Sequence, residues 1–434
     1  MFMRVFFQSI SLGCLLFVGS SLFATNGNNL IATGTKSRGM GGVGIAKSFG
    51  AESGLANPAL ISTVKNMEVS GSLTFFGPDV SYGSDTLSKA QLDFSFVIAD
   101  SNDEMTTIPE ISFAQRINED FVYGVSVTGT AAMGVDYSEE KPESTLNMKT
   151  NLQLLKISIP LSYQVNSFAF GFSPVMQFGT LEMSHITLKS DKSIGSLDNG
   201  PASDTSIGFE VGMAYDFNEI GIEGLSMGLV YKSKFKMSYD NTISASVAAF
   251  NTFGNVGISS GDNLDQPAEI GLGFAYVLGE HTLGFDYRKM NWEDASGFSD
   301  FGWEDQDVYA IGYAYKTSEY TLRAGLNYAK SPIKEQDGST YSGAIINSFN
   351  LAGFPGIVEK HYTIGMSFFA NDEVEIDLAM VYANEVSASF DTSEATQVFG
   401  IALNTPAAFD PGIRSQANVT HSQFSLSVGA TYKF

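Results

Sequence analysis

Apolar residues return at every second position through much of this chain, and the runs are long. At the C-terminal end Phe424, Leu426, Val428, Ala430, Tyr432 and Phe434 share one face of an extended segment. Ser425, Ser427, Gly429, Thr431 and Lys433 share the other. Residues 207–217 repeat the pattern, with Ile207, Phe209, Val211, Met213, Tyr215 and Phe217 against Gly208, Glu210, Gly212, Ala214 and Asp216. Strand side chains alternate between two faces, so each segment predicts a strand with one continuous apolar side. A tilted strand of about 9–11 residues crosses a bilayer. Strands of soluble sandwiches are usually about 5–6 residues long. The second face carries Gly, Ser, Thr and isolated charges, which suits a barrel interior better than a water-facing surface.

The same template predicts about fourteen strands: 66–76, 108–116, 121–130, 152–165, 168–178, 205–217, 224–237, 267–278, 281–290, 306–316, 319–329, 359–369, 373–383 and 420–434. Their connections alternate in length. Short ones fall at 118–120, 166–167, 218–223, 279–280, 317–318 and 371–372; long ones fill 77–107, 131–151, 179–204, 238–266, 291–305, 330–358 and 384–419. Short periplasmic turns facing long extracellular loops, with an even strand number, are the habit of outer-membrane barrels. The fold expected is therefore all-β, a membrane-spanning antiparallel β-barrel over residues 66–434. Pro160 and Pro174 fall inside strands, where a closed barrel has no free edge to accept them, so they are expected to mark bulges, the alternative being that the strand boundaries lie elsewhere. Leu92, Phe94, Phe96 and Ile98 also alternate; they are placed in the first long loop, with a rival strand as the alternative.

Residues 1–24 read as a secretory signal peptide: Arg4 is the positive region, Leu12 to Val18 the apolar core, and Ala24 the small residue at the cut. A lipoprotein reading of Ser11-Leu12-Gly13-Cys14 would leave apolar Leu15 to Val18 unused. Cys14 is the only cysteine of the chain, so a mature protein cut after Ala24 is cysteine-free, as suits an oxidising compartment. Beyond the leader no stretch of 18 apolar residues occurs, which excludes a helical inner-membrane protein. With 24 basic and 47 acidic residues the net charge is −23, and such a surface repels nucleic acid. No metal or other cofactor is expected, because His185, His281, His361 and His421 lie on separate segments without ligand spacing.

Residues 25–65 do not alternate. They hold a glycine-rich stretch and then Asn57-Pro58-Ala59-Leu60, and we expect a compact N-terminal hatch, or plug, packed closely inside the barrel. Gly39-Met40-Gly41-Gly42-Val43-Gly44 matches the dinucleotide fingerprint as text, but that motif needs a strand before it and a helix after it. Lys36, Arg38 and Lys47 make the segment basic. Glu210, Asp216, Glu269, Asp286, Glu375 and Asp377 face inward by parity and are candidate partners; ordinary solvated charge is the alternative. Gly257-Ile258-Ser259-Ser260-Gly261 matches the hydrolase pattern without the strand and helix of a nucleophile elbow. No enzyme is expected.

The run Ser37-Arg38-Gly39-Met40-Gly41-Gly42, followed by Asn57-Pro58-Ala59-Leu60, resembles the N-terminal hatch of the FadL/TodX outer-membrane transport family. Pro267 to Gly273, Asp286-Tyr287 to Trp292, and Leu322-Arg323-Ala324-Gly325-Leu326-Asn327-Tyr328 with Ser331-Pro332 are similar as well. Tyr432-Lys433-Phe434 looks like the C-terminal aromatic signal of such barrels. The resemblance spans nearly the whole mature chain. It implies fourteen strands closed by a hatch, with Arg38, Gly39, Gly41, Gly42, Asn57, Pro58 and Ala59 as hatch residues. It also implies a sideways exit through an interruption in the third strand, where Gly124, Gly129 and Gly134 permit a kink; Pro160 on the fourth strand extends that seam.

Val247, Phe250 and Phe253 in one long loop, and Ile345, Ile346, Phe349, Leu351 and Phe354 in another, put large apolar groups where an aqueous porin would carry charge. Exposed apolar patches bind apolar things; the plainer alternative is packing of loop on loop. Arg288 and Arg323 point inward and are candidates for a solute carboxylate, with pairing to lumen acids as their alternative. The partners expected are hydrophobic small molecules such as fatty acids or hydrocarbons, and outer-membrane lipid, for a monomer that binds no nucleic acid. A general porin and a structural or surface-interaction barrel are the competing functions.

Overall fold

The computed structural model describes residues 25–434 except 91–95, 103–104, 139–145, 189–192 and 411. The leader, Cys14 and most of the 91–98 alternation lie outside the described residues. Fourteen antiparallel strands form a closed wall. They are β1 (Met67–Ser84), β2 (Thr106–Arg116), β3 (Phe121–Asp136), β4 in two pieces (Lys149–Ser158 and Leu161–Val165) and β5 (Phe168–Leu188). There follow β6 (Ala202–Asp216), β7 (Leu225–Lys232), β8 (Glu269–Leu278), β9 (His281–Met290) and β10 (Gln306–Lys316). β11 (Tyr320–Ala329), β12 (Lys360–Phe369), β13 (Val374–Asp391) and β14 (Gln416–Lys433) complete the ring. β14 closes on β1, with Ala417 opposite Ser84 and Tyr432 opposite Val69.

Burial along each strand is inverted relative to a soluble protein. Ile207, Ile311 and Leu283 are 81%, 54% and 56% exposed on the outside, while Asp286 and Thr431 are each 1% exposed on the inside. The outward face meets lipid, so apolar groups there are already in their own solvent. At the short-turn end the outer face carries ring pairs such as Phe121–Tyr163, Phe168–Tyr215 and Tyr432–Phe434, with centroids 4.7, 4.5 and 4.4 Å apart. Such an aromatic girdle belongs at a membrane interface.

Several boundaries differ from the sequence expectation. β1, β3, β5 and β13 run past 76, 130, 178 and 383 at the long-loop end. There the wall stands clear of lipid, and Val80, Tyr82, Met133, Val135, Leu181 and Met183 turn inward to an apolar core, so the apolar-out parity that marks the lower strands no longer holds. β7 ends at Lys232 instead of 237, beyond which Phe235 makes only an isolated bridge to Gln266. The expected proline bulges are absent. Pro160 divides β4, yet Ser158 opposite Val175 and Leu161 opposite Phe172 keep one register, and Pro174 lies in an unbroken β5 opposite Phe209. A proline lacking its N–H removes one ladder bond; neighbours on both sides hold the register. The bulge is instead on β3, between Gly129 and Ala131. From the alternating 91–98 stretch, only Val97 and Ile98 enter a described strand; residues 97–100 pair with 81–84 of β1.

Short helices cover the long-loop end: α2 (Thr86–Ala90), α3 (Ile243–Asn251), α4 (Tyr341–Gly353) and α5 (Ser393–Leu403), with α1 (Thr35–Arg38) in the N-terminal segment. Thr340 caps α4 by accepting the Gly343 N–H at 3.1 Å, satisfying one free helix donor. The loops and upper strands share an apolar core in which Trp292, Phe298 and Trp303 pack with centroids 4.6–5.0 Å apart.

Candidate functional site

The N-terminal segment contacts inward faces around the wall. Arg38, 2% exposed, donates to both oxygens of Glu110 on β2, at 2.7 and 2.9 Å, and to Thr74 Oγ1 at 2.7 Å. Ser72 and Thr128 hydroxyls also donate to Glu110, each at 2.9 Å. A bidentate guanidinium–carboxylate pair of this kind is strong and directional. Lys36 sits 3.9, 3.7 and 3.6 Å from Glu52, Glu375 and Asp377, and donates to Thr431 at 2.9 Å. Both cations are buried, so solvated charge does not describe them.

The six inward acids divide. Glu375 and Asp377 meet Lys36, and Asp286 accepts the backbone N–H groups of Gly44 and Ile45 at 2.7 and 2.9 Å. Glu269 is held by Lys232 on the wall at 3.3 Å, and Glu210 and Glu269 line one cavity with Lys156 and Lys232. Asp216 is exposed at a short turn, where it accepts the Asn218 N–H at 3.0 Å, so it is not a partner. The inward acids named from the sequence omit Glu52, Glu68 and Glu110. Of these, Glu110 carried a signal: an acid on the inward side of a strand flanked by Ile108 and Ser112.

Glycine serves close approach. Gly41 and Gly42 have φ of 74° and 89°, which side chains rarely adopt. A Cβ on Gly39 would lie 2.8 Å from Gly365 Cα, and one on Gly41 2.8 Å from the Ile311 carbonyl. Gly41 is fixed by its N–H to Thr363 Oγ1 at 2.8 Å and by Asn327 Nδ2 to its carbonyl at 3.1 Å. Asn57 accepts the Ala59 N–H at 3.1 Å, starting the 3₁₀ turn Pro58–Thr63, and donates to the carbonyls of Ile45 at 2.8 Å and Met213 at 3.2 Å. Ser162 on β4 donates to the Ala59 carbonyl at 2.9 Å. Asn57→Ala removes these together, and amides of residues 57–63 should exchange with solvent about tenfold faster, as a loss of about 1–2 kcal/mol requires. Unchanged exchange would count against that anchoring role.

The loop candidates are not an exposed patch. Val247, Phe250, Ile345, Ile346, Phe349, Leu351 and Phe354 are buried in the loop core, and Phe253 is half-buried against it. The packing alternative therefore describes them, because helices α3 and α4 turn their apolar sides toward one another. Phe250 and Phe349 pack edge to face at 5.1 Å, with His185 against both. Phe250, Ile345 and Phe349 line a small void of about 20 Å³ with Tyr82, Met148 and Phe399, room for about one water.

Arg288 donates to the Ile31 carbonyl at 2.9 Å, and Arg323 to Ser367 Oγ at 2.6 Å. Neither makes an ion pair within 4.0 Å among the described residues. Arg288 lines a polar cavity of about 80 Å³ with Asn29, Thr130, Lys156 and Gln177. That cavity touches the seam. Asn29 pairs with Ala131 beside the β3 bulge, and Thr130 is the bulged residue. Gly124 donates its N–H to the Pro160 carbonyl at 2.8 Å, Gly129 adjoins the bulge, and Gly134 lies in regular pairing opposite Asn151. The β3–β4 ladder thus keeps its register across the Pro160 break but shifts by one residue at the Gly129–Ala131 bulge.

A closed fourteen-strand wall with an apolar outer face, its bore occupied by its own N-terminal segment, defines an outer-membrane barrel. The chain belongs to the outer membrane protein transport family (OMPP1/FadL/TodX), whose family model matches residues 21–434. The long-chain fatty acid transport protein of Escherichia coli O6:H1 is 21% identical over 412 residues, covering 82% of this chain and 88% of its own. The namesake from Salmonella typhi is 20% identical over 414 residues, covering 83% and 91%. Among solved structures, a Pseudomonas aeruginosa FadL homologue has a TM-score of 0.67 at 17% identity, covering 94% of this chain and all of its own. The P. putida toluene transporter TodX has a TM-score of 0.63 at 18% identity, covering 93% and 99%. These structures share the fold.

Proposed function

We propose that the protein is a non-enzymatic, monomeric channel that takes hydrophobic molecules, such as long-chain fatty acids or aromatic hydrocarbons, across the bacterial outer membrane after its leader is cleaved. One observation carries the reading: an apolar core of loops roofs the barrel directly above a bore filled by the N-terminal segment. A general porin needs an open polar bore, which this segment occupies. A solute enters by parting the packed loop side chains around Phe250, Ile345 and Phe349, losing water at about 0.8 kcal/mol per buried methylene. It then reaches the polar cavity beside Arg288 and leaves sideways at the β3–β4 seam when the N-terminal segment, the hatch, shifts from Thr130. The named functions of the fatty acid and toluene transporters support both solute classes.

A deletion strain grown on a panel of fatty acids and hydrocarbons as sole carbon sources tests the reading; it should lose growth on at least one class and regain it on complementation. The exit has its own test. Ser126 and Ser158 face each other across the seam, and a Ser126→Cys/Ser158→Cys disulfide should cut uptake several-fold until reduced. Equal uptake by oxidised and reduced protein would rule out the sideways route.

A further inference from the structure

At the short-turn end, beneath the N-terminal segment, lies a cavity of about 700 Å³, far larger than either space above it. Its wall is mixed in an unusual way. Lys47, Lys316 and Arg323 line it together with Phe49, Val64 and Phe369. Among the described residues no carboxylate lies within 4.0 Å of these three cations. Lys316 and Arg323 rest instead on aromatic rings, over Phe369 at 5.5 Å and Phe49 at 5.9 Å. Arg323 is 9% exposed and its Nε has no hydrogen-bond partner.

Two of the acids that line the cavity are occupied. Glu375 is shared between Lys36 at 3.7 Å and Lys433 at 2.9 Å, and Glu68 accepts the Ala51 N–H at 2.8 Å. Asp372 sits at a turn, and the C-terminal Phe434 is bonded through its oxygen to Asn66 at 3.2 Å. Lys65 adds a further cation. Burial lowers the Lys47 pKa, and its charged neighbours Arg323 and Lys316 lower it further. Among the described residues, buried Arg323 reaches a carboxylate only through Ser367, which donates to Asp377. Lys47 is half-buried and Lys316 exposed, so of the three positive charges facing this aromatic-walled space Arg323 and Lys47 are the least solvated, and the ones an anion would relieve most.

We propose that this vestibule is an anion site for the carboxylate of an amphiphilic solute, with Lys47, Lys316 and Arg323 around the head group and Phe49, Val64 and Phe369 against the chain. It rests on the uptake reading and gives acids, beside the sideways exit at β3–β4, a second and periplasmic way station that neutral hydrocarbons do not use. Cation–carboxylate contact with an adjoining apolar wall selects fatty acids over both inorganic anions and alcohols.

Thr63 lines the cavity and is exposed, and Cys14 is the chain's only cysteine, so a Cys14→Ala/Thr63→Cys protein carries one reporter thiol. Octanoate should slow its modification by a neutral maleimide, whereas octanol and inorganic phosphate at the same concentration should not. Lys47→Gln/Lys316→Gln should raise the half-protecting octanoate concentration about tenfold, and Lys47→Arg/Lys316→Arg should keep protection, which separates charge from misfolding. Protection by octanol as strong as by octanoate would overturn the proposal. So would equal protection by phosphate, or protection indifferent to the glutamine changes. Failure of the uptake reading itself would appear separately, as undiminished growth of the deletion strain on every hydrophobic carbon source.

Discussion

Arg38→Ala should loosen the N-terminal segment enough to make the barrel conduct ions. The Arg38 and Glu110 side chains are only 3% and 5% exposed, and they meet through two parallel hydrogen bonds. Removing the guanidinium leaves the Glu110 carboxylate buried with only Ser72, Thr128 and the Gly34 N–H to satisfy it. Breaking a buried pair from one side costs about 3–5 kcal/mol, because the remaining charge is uncompensated. At about 1.4 kcal/mol per factor of ten, the undocked population should rise at least a hundredfold. Single-channel recording in planar bilayers reads that rise as open events, and hydrogen exchange of residues 34–44 reads it independently. Arg38→Met/Glu110→Gln, which removes both charges, should recover much of the loss. If Arg38→Ala is as silent as the wild type in both measurements, the pair does not hold the segment.

That pair also marks how far the sequence could be read. Alternation located every wall strand because lipid demands an apolar group at each outward position, and a wrong register would expose Ser427 or Asp286 to hydrocarbon. The same parity says that Glu110 and Asp377 face inward, but nothing in it says which residue of the N-terminal segment each one meets. Lys36, Glu375 and Asp377 were legible as candidates, but not as one another's partners. Asp216 was not excluded, since the parity of β6 continues to its last residue, which is exposed beside the turn. The loop aromatics were misleading for a different reason. Hydrophobicity places Phe250 and Phe349 away from water, yet it cannot distinguish a surface awaiting a solute from two helices that cover each other. The vestibule was invisible to sequence because Lys47 lies in the N-terminal segment, far along the chain from the β10–β11 hairpin that carries Lys316 and Arg323, and only the seating of that segment in the bore brings the three together.

A second large effect is expected from the wall rather than the segment it encloses. A Cβ built on Gly325 of β11 would lie 2.6 Å from Gly41 Cα, and one on Gly228 of β7 would lie 2.6 Å from the Ile45 carbonyl carbon. Both obstacles are backbone, which cannot rotate away as a flexible side chain can. Neither glycine has a positive φ among the recorded cases, so the strand itself accepts a side chain there and β-branched residues suit it. Gly325→Val and Gly228→Val should therefore assemble as barrels while excluding the N-terminal segment from its seat. Gly77 of β1, where an added Cβ meets nothing within 4 Å, is the matched control. We expect both lumen variants to retain the β-sheet circular dichroism and heat-resistant mobility of the wild type, to conduct ions, and to expose residues 34–46 to protease. Gly77→Val should do none of the last two. Wild-type protection of residues 34–46 in Gly325→Val would mean that the segment can settle elsewhere in the bore, and that the close approach at Gly41 is not what positions it.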